Sequence, residues 1–275
     1  MGFYEFKKLL LRSETIDYSS QKPVHQNSRG IPMPVGLAKN DDCKSCSVCE
    51  DNCPTNAIQI ISKKQIQFDY GSCTQCGLCA KLCPKDKIID SGFIYNFSFH
   101  REELKVVYDG GEIFPKEFSV PVNVGRFQEL TRENGFNYRE VASGGNNSVE
   151  CELGASFNNV FDSEGIGVRS VASPKHADAI LYSGPPSINM ESPLQDAWDT
   201  MPEPRALIAC GTEAISGGLF TKGKTPKEPD LYIAGDPPRP DTILQAFRYL
   251  MGRFTFNYQK AIQERYKELK KTFKR

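Results

Sequence analysis

One cysteine pattern, C-x-x-C-x-x-C-x-x-x-C-P, is written twice between Cys43 and Pro84 and constrains this chain more than any other feature. The first copy is Cys43, Cys46, Cys49, Cys53 and Pro54; the second, Cys73, Cys76, Cys79, Cys83 and Pro84, repeats it 30 residues later. Three cysteines spaced by two residues wrap a tight loop around three corners of a cubane cluster, and in this pattern the fourth cysteine of each run ligates the other cluster. The spacing therefore predicts two [4Fe-4S] clusters. Cys43, Cys46, Cys49 and Cys83 would hold one, and Cys73, Cys76, Cys79 and Cys53 the second. Zinc sites normally use two C-x-x-C pairs separated by a longer loop. A disulfide framework would leave both the spacing and the two prolines unexplained.

The 275 residues have room for two domains, one of them small. Thirty-four basic residues balance 34 acidic ones, which gives no electrostatic reason to expect a nucleic-acid partner. The glycine pairs at Gly110, Gly144 and Gly217 form no G-x-G-x-x-G or P-loop pattern, so no nucleotide is expected. No apolar run approaches the roughly 20 residues of a membrane span, and no signal peptide is evident. Cluster thiolates need a reducing compartment, and the expected location is the cytoplasm.

Residues 1–40 read as a short amphipathic helix, with Phe3, Phe6 and Leu10 on one face, followed by an extended, proline-bearing arm. The helix would dock on a partner, a membrane surface or its own domain. Residues 41–92 form the cluster domain, with a hairpin expected from Ile58–Ile61 and Gln65–Phe68 on either side of Ser62-Lys63-Lys64. Residues 93–138 are a connecting region with a strand-like run, Leu104 to Tyr108, and a histidine, His100, expected to be structural. In residues 139–253, Ala179–Tyr182, Ala206–Ala209 and Leu231–Ala234 read as buried strands. Helices are expected at Ser187–Thr200 and Asp241–Gly252. The fold class is thus an α+β two-cluster ferredoxin domain followed by a doubly wound, flavodoxin-like α/β domain. Residues 254–275 place Ile262, Tyr266, Leu269 and Phe273 at helical spacing against a basic face, which suits a docking helix, an anionic-lipid contact or a solvated tail.

Ordered motifs in the second half, Ser173-Pro174-Lys175-His176-Ala177-Asp178, Met201-Pro202-Glu203-Pro204-Arg205, Ser216-Gly217-Gly218 and Tyr232-Ile233-Ala234-Gly235-Asp236-Pro237-Pro238, resemble the small subunit of energy-converting [NiFe] hydrogenases and its relative in respiratory complex I. The cysteine-rich half, with Ser28-Arg29-Gly30 before it, resembles the ferredoxin-like subunit of formate hydrogenlyase and its complex I counterpart. The chain looks like a fusion of two neighbouring subunits. The resemblance implies an electron-transfer subunit of a membrane-associated oxidoreductase. Its partners would be a hydrogenase large-subunit-like protein and membrane subunits, which would hold it peripherally on the cytoplasmic face. No independent catalytic site is expected within the chain.

In that family the α/β domain carries a further [4Fe-4S] cluster, and here the resemblance breaks. Asn146, Val149, Glu213 and Asp236 stand at the four ligand positions, with Glu150 and Glu152 matching the family's acidic residues. Valine donates nothing to iron, and carboxylate or amide oxygens replace soft thiolates poorly. The expectation is a domain that keeps the fold without its cluster. The alternatives are a third cluster re-sited on Cys151 and Cys210 with Glu213 and Asp236, which would keep an active hydrogenase or quinone-type oxidoreductase, and a stand-alone ferredoxin-like carrier. His176 is expected to be structural or interfacial, and Trp198 to lie in the core.

Overall fold

The computed structural model describes residues 15–273. The amphipathic segment expected within residues 1–12 lies outside them. In chain order the strands are β1 (Pro32–Met33), β2 (Ile58–Ile60), β3 (Gln65–Asp69), β4 (Ile89–Asp90), β5 (Phe97–Ser98), β6 (Lys105–Asp109), β7 (Glu112–Ile113), β8 (Phe136–Ala142), β9 (Val168–Ser170), β10 (Ala179–Ser183), β11 (Ala206–Cys210) and β12 (Leu231–Ile233). The helices are α1 (Val48–Asp51), α2 (Leu78–Leu82), α3 (Val122–Asn134), α4 (Ser148–Ala155), α5 (Ile188–Thr200), α6 (Thr212–Ser216), α7 (Pro240–Leu250) and α8 (Tyr258–Phe273).

The expected hairpin is β2 paired antiparallel with β3, in the register Ile58 to Phe68. It does not stand alone, because β6 and β7 extend it into a four-stranded sheet in the order β2-β3-β6-β7. Along β3 and β6 every second residue is buried, the period of a strand with one face on a core. The residues on that face, Ile66 and Phe68 opposite Tyr108 and Val106, sit under both cysteine loops.

Downstream, six strands run in the order β5-β12-β11-β10-β8-β9, parallel throughout except for the antiparallel edge strand β5. All five residues of β10 and all five of β11 are buried, as parallel strands covered on both sides require. The aromatic rings of Phe127 on α3 and Phe247 on α7 both meet Phe136 edge-on, each with centroids 5.5 Å away. Chain order reverses between β8 and β10, so a crevice opens beyond Ala142 and Ser183. In open α/β sheets that is where ligand sites form.

Residues 93–138 serve both sheets: β5 joins the larger one, and β6 and β7 join the smaller. Asn96 fastens the junction. Its amide donates to the Tyr70 carbonyl at 3.0 Å, its side-chain oxygen accepts from Tyr258 Oη at 2.5 Å, and its carbonyl accepts from Ala234 N at 2.7 Å.

The C-terminal helix α8 departs from every surface role expected of it. Tyr258, Ile262 and Tyr266 are buried, so most of its apolar stripe is spent inside the molecule, while Phe273 at its end stays exposed. Its polar residues bridge separate pieces of the cluster domain: Gln263 Nε2 reaches the Ile113 carbonyl at 2.8 Å, Arg265 Nη2 the Ser91 carbonyl at 2.7 Å, and Tyr266 Oη the Pro34 carbonyl at 3.1 Å. Periodicity identified the stripe, but what covers it is a long-range packing outcome. Trp198 is buried as expected, with the Arg205 guanidinium 4.4 Å from its ring centre.

Candidate metal centres

The two cysteine runs share most of their backbone turns. Each short helix is preceded by a left-handed residue, Ser47 before α1 and Gly77 before α2, with φ of 45° and 75°. The tail after each fourth cysteine also turns left-handed, at Asn56 and Asp86. Backbone N–H groups close both tails onto sulfur, Ala57 N to Cys53 Sγ at 3.2 Å and Lys87 N to Cys83 Sγ at 3.4 Å. Each of these features recurs at the same 30-residue displacement as the cysteines themselves.

The folded loops bring the cysteines together in two groups. Cys43, Cys46, Cys49 and Cys83 line one cavity, walled by Pro34, Leu37, Ile66 and Pro84. Cys53, Cys73, Cys76 and Cys79 line the other, walled by Pro32, Pro54, Ile58 and Phe68. The helices α1 and α2, which carry Cys49 and Cys79, pack against each other. Burial pushes the thiols of Cys49, Cys73 and Cys79 up to about 12 and raises Cys43. Neighbouring thiols add to each shift, because a second thiolate nearby opposes ionisation. Only a bound cation reverses that cost, by stabilising thiolates directly. Four sulfurs per cavity, the apolar side chains of Ile66 and Phe68 beside them, and N–H donors aimed at sulfur form a donor set suited to a [4Fe-4S] cluster.

The four positions where thiolates are missing also meet, in the crevice beyond β8 and β10. Asn146 donates to Glu213 twice, from its backbone N to Oε2 and from its side-chain Nδ2 to Oε1, both at 3.3 Å. Val149 fills the space beside Gly211, where an added Cβ would lie 2.6 Å from its Cγ2. Burial, followed by the charges of Asp236 and Glu150, raises the Glu213 carboxyl above its ordinary range, and burial raises Asp236. Glu150 accepts from Ser183 Oγ at 2.6 Å.

Cys151 and Cys210 do not complete this site. Cys151 is exposed, whereas Cys210 ends β11 fully buried, its thiol pushed well up by burial. His100 lies 2.7 Å from the Ser119 carbonyl and against the Phe118 ring, and His176 sits exposed on a 3-10 turn.

Sequence reasoning missed Thr212. Its hydroxyl lies within hydrogen-bond distance of the Cys73 carbonyl, at 3.1 Å, and of Gly235 N, at 3.3 Å, so it joins the crevice to one cysteine loop. Its position just before Glu213 was the available signal. The Arg101–Asp69 pair was missed as well: two 2.6 Å contacts fork the guanidinium onto the carboxylate, and a third at 3.0 Å reaches Ser72 beside the same loop.

A family model described as NADH ubiquinone oxidoreductase, 20 Kd subunit, matches residues 143–250, and one described as a 4Fe-4S dicluster domain matches residues 42–87. Formate hydrogenlyase subunit 7 of Escherichia coli is 37% identical over 128 residues, which cover 44% of this chain and 50% of that one. An uncharacterised protein of Methanocaldococcus jannaschii is 31% identical over 124 residues, 43% of this chain and 84% of its own length. The probable membrane-bound hydrogenase subunit mbhJ of Pyrococcus furiosus is 32% identical over 111 residues, 38% of this chain and 66% of that one. The chain thus spans about half the length of the formate hydrogenlyase subunit it matches. No helix among the described residues is long and apolar enough to cross a membrane.

Proposed function

Because the chain belongs to the family of the NADH ubiquinone oxidoreductase 20 Kd subunit, we propose that it is the electron-transfer subunit of a membrane-associated, hydrogenase-like or complex I-related oxidoreductase. The observation that carries this reading is the pair of adjacent cavities, each lined by four cysteines, with every fourth cysteine crossing to the other run. Two [4Fe-4S] clusters bound there would supply one-electron transfer without bond-making at the protein. The chain's own part is to bury each site under Ile66 and Phe68, to direct Ala57, Gln75 and Lys87 N–H groups at sulfur, and to keep the two loops in contact through α1 and α2.

The larger sheet supports a flavodoxin-like reading, since β9-β8-β10-β11-β12 follows that order. Its crevice does not fit a cluster. An amide, a valine and two carboxylates offer hard oxygen donors or none, and Asn146 already uses its donors on Glu213. The domain then acts as a scaffold, fixed to the cluster loop by Thr212, for a large-subunit-like partner and membrane subunits at the cytoplasmic face.

Iron and sulfide quantification on anaerobically purified chain, paired with EPR of the reduced protein, tests this. About eight irons and two interacting signals are expected. About twelve irons would place a third cluster in the chain and sink the scaffold reading; four or fewer would remove the two-cluster site.

A further inference from the structure

The two cavities differ in charge. The wall of the first includes Asp41, Asp42, Lys85 and Lys87, with Lys87 paired to Asp41. The wall of the second carries no charged side chain. What stands next to that second cavity is Arg29, from the arm ahead of β1. Its Nη1 donates to the Cys76 carbonyl at 2.5 Å and lies 3.4 Å from the Gln75 carbonyl.

The arginine is seated by the fold. Gly92 N donates to its carbonyl at 2.9 Å, and Ile31 N donates to the Phe93 carbonyl at 3.1 Å, which fixes the backbone on both sides of Gly30. Gly77 is left-handed, and a Cβ there would lie 2.9 Å from Arg29 Nη1. A glycine therefore serves both the turn and the close approach of the guanidinium. On its other side Arg29 Nε lies 3.5 Å from Asp90 Oδ2. Asp90 pairs across the ladder with Pro32, part of the cavity wall, and Lys81 also acts on it.

We propose that Arg29 is a positioning residue that raises the reduction potential of the cluster held by Cys53, Cys73, Cys76 and Cys79, with Asp90 as its opposing charge. The inference rests on the two-cluster reading. Reduction adds one electron and one negative charge to the cluster, breaks no bond, and is favoured by a nearby cation and disfavoured by a nearby anion. Both side chains are about half exposed, so the effect is modest and screened by salt.

The test is an EPR-monitored redox titration of the full chain with dithionite under anaerobic conditions, using the other cluster as internal reference. A Cys46→Ser variant identifies which signal belongs to which cavity. Arg29→Gln is expected to lower the midpoint of the Cys76-bearing cluster, Asp90→Asn to raise it, and Arg29→Lys to keep it near the wild-type value. The Arg29→Gln shift should shrink as ionic strength rises. Equal potentials in all variants, shifts of the same sign for Arg29→Gln and Asp90→Asn, or an Arg29→Lys midpoint as low as that of Arg29→Gln, would overturn the proposal in favour of simple loop anchoring. If Arg29→Gln loses the cluster altogether, the sign of the Asp90→Asn shift decides alone. A wild-type chain with far fewer than about eight irons would instead remove the underlying two-cluster reading.

Discussion

The cysteine cavities and the α/β crevice are both places where four side chains converge from separate segments, yet they are built from opposite chemistry. In the cavities the convergent atoms are cysteine sulfurs, most of them half-buried, and burial with neighbouring thiols raises the pKa of Cys49, Cys73 and Cys79. In the crevice they are an amide and two carboxylates beside a valine, and Asn146 and Glu213 satisfy one another. A buried thiol gains from a metal what solvent does not offer it. A carboxylate that already accepts two N–H groups gains much less. Convergence alone therefore does not make a metal site, and the two regions remain neighbours through the Thr212 contact to the Cys73 carbonyl.

The largest test of that contrast removes sulfur. Cys53→Ser and Cys73→Ser should each abolish the same EPR signal although the residues belong to different runs, while Cys83→Ser should abolish the other. Each variant is expected to fall from about eight to about four irons per chain. If Cys53→Ser and Cys83→Ser silence the same signal, the crossed ligand assignment is wrong.

Adding sulfur asks the reverse question. The combined Asn146→Cys, Val149→Cys, Glu213→Cys and Asp236→Cys variant keeps the backbone positions and replaces the hard donors with soft ones. It should gain about four irons after anaerobic reconstitution, with a new EPR signal. An unchanged iron content in a folded variant would mean that the crevice has lost its geometry as well as its donors.

The parts of this architecture legible in the sequence are those set locally. Cysteine spacing and the all-buried runs of β10 and β11 follow from residues within a few positions of one another. In residues 93–138 the run Leu104 to Tyr108 was legible as a strand and is β6, but the sheet each strand joins was not, because partners far along the chain assign it: β5 by β12, and β6 by β3. A strand's own alternation says which face is buried but not which sheet it joins. The same holds for α8, whose apolar stripe suits a membrane, a partner or its own core equally until Tyr266 is seen against Tyr108, ring centres 5.1 Å apart. In the crevice, the missing thiolates were legible from the motif. The pairing of Asn146 with Glu213 was not, since it depends on the closeness of loops beyond β8 and β11.

The smallest expected effect reads the crevice's charge. Glu213 is buried beside Asp236 and Glu150, and its carboxyl is raised from the ordinary value of 4.5. A raised carboxyl holds its proton more tightly folded than unfolded. Its stabilising contribution is therefore present at and below that ordinary value and is lost as pH rises through the folded pKa. Glu213→Gln keeps an acceptor for Asn146 and removes the charge. The variant should unfold at slightly higher urea than wild type at neutral pH, with the difference shrinking as pH falls toward about 5. Trp198 is the chain's single tryptophan and lies on α5 in the same sheet domain, so its fluorescence reports this unfolding. A variant less stable than wild type at neutral pH would show that the two Asn146 hydrogen bonds outweigh the cost of the buried charge, and that the crevice is held together by the carboxylate.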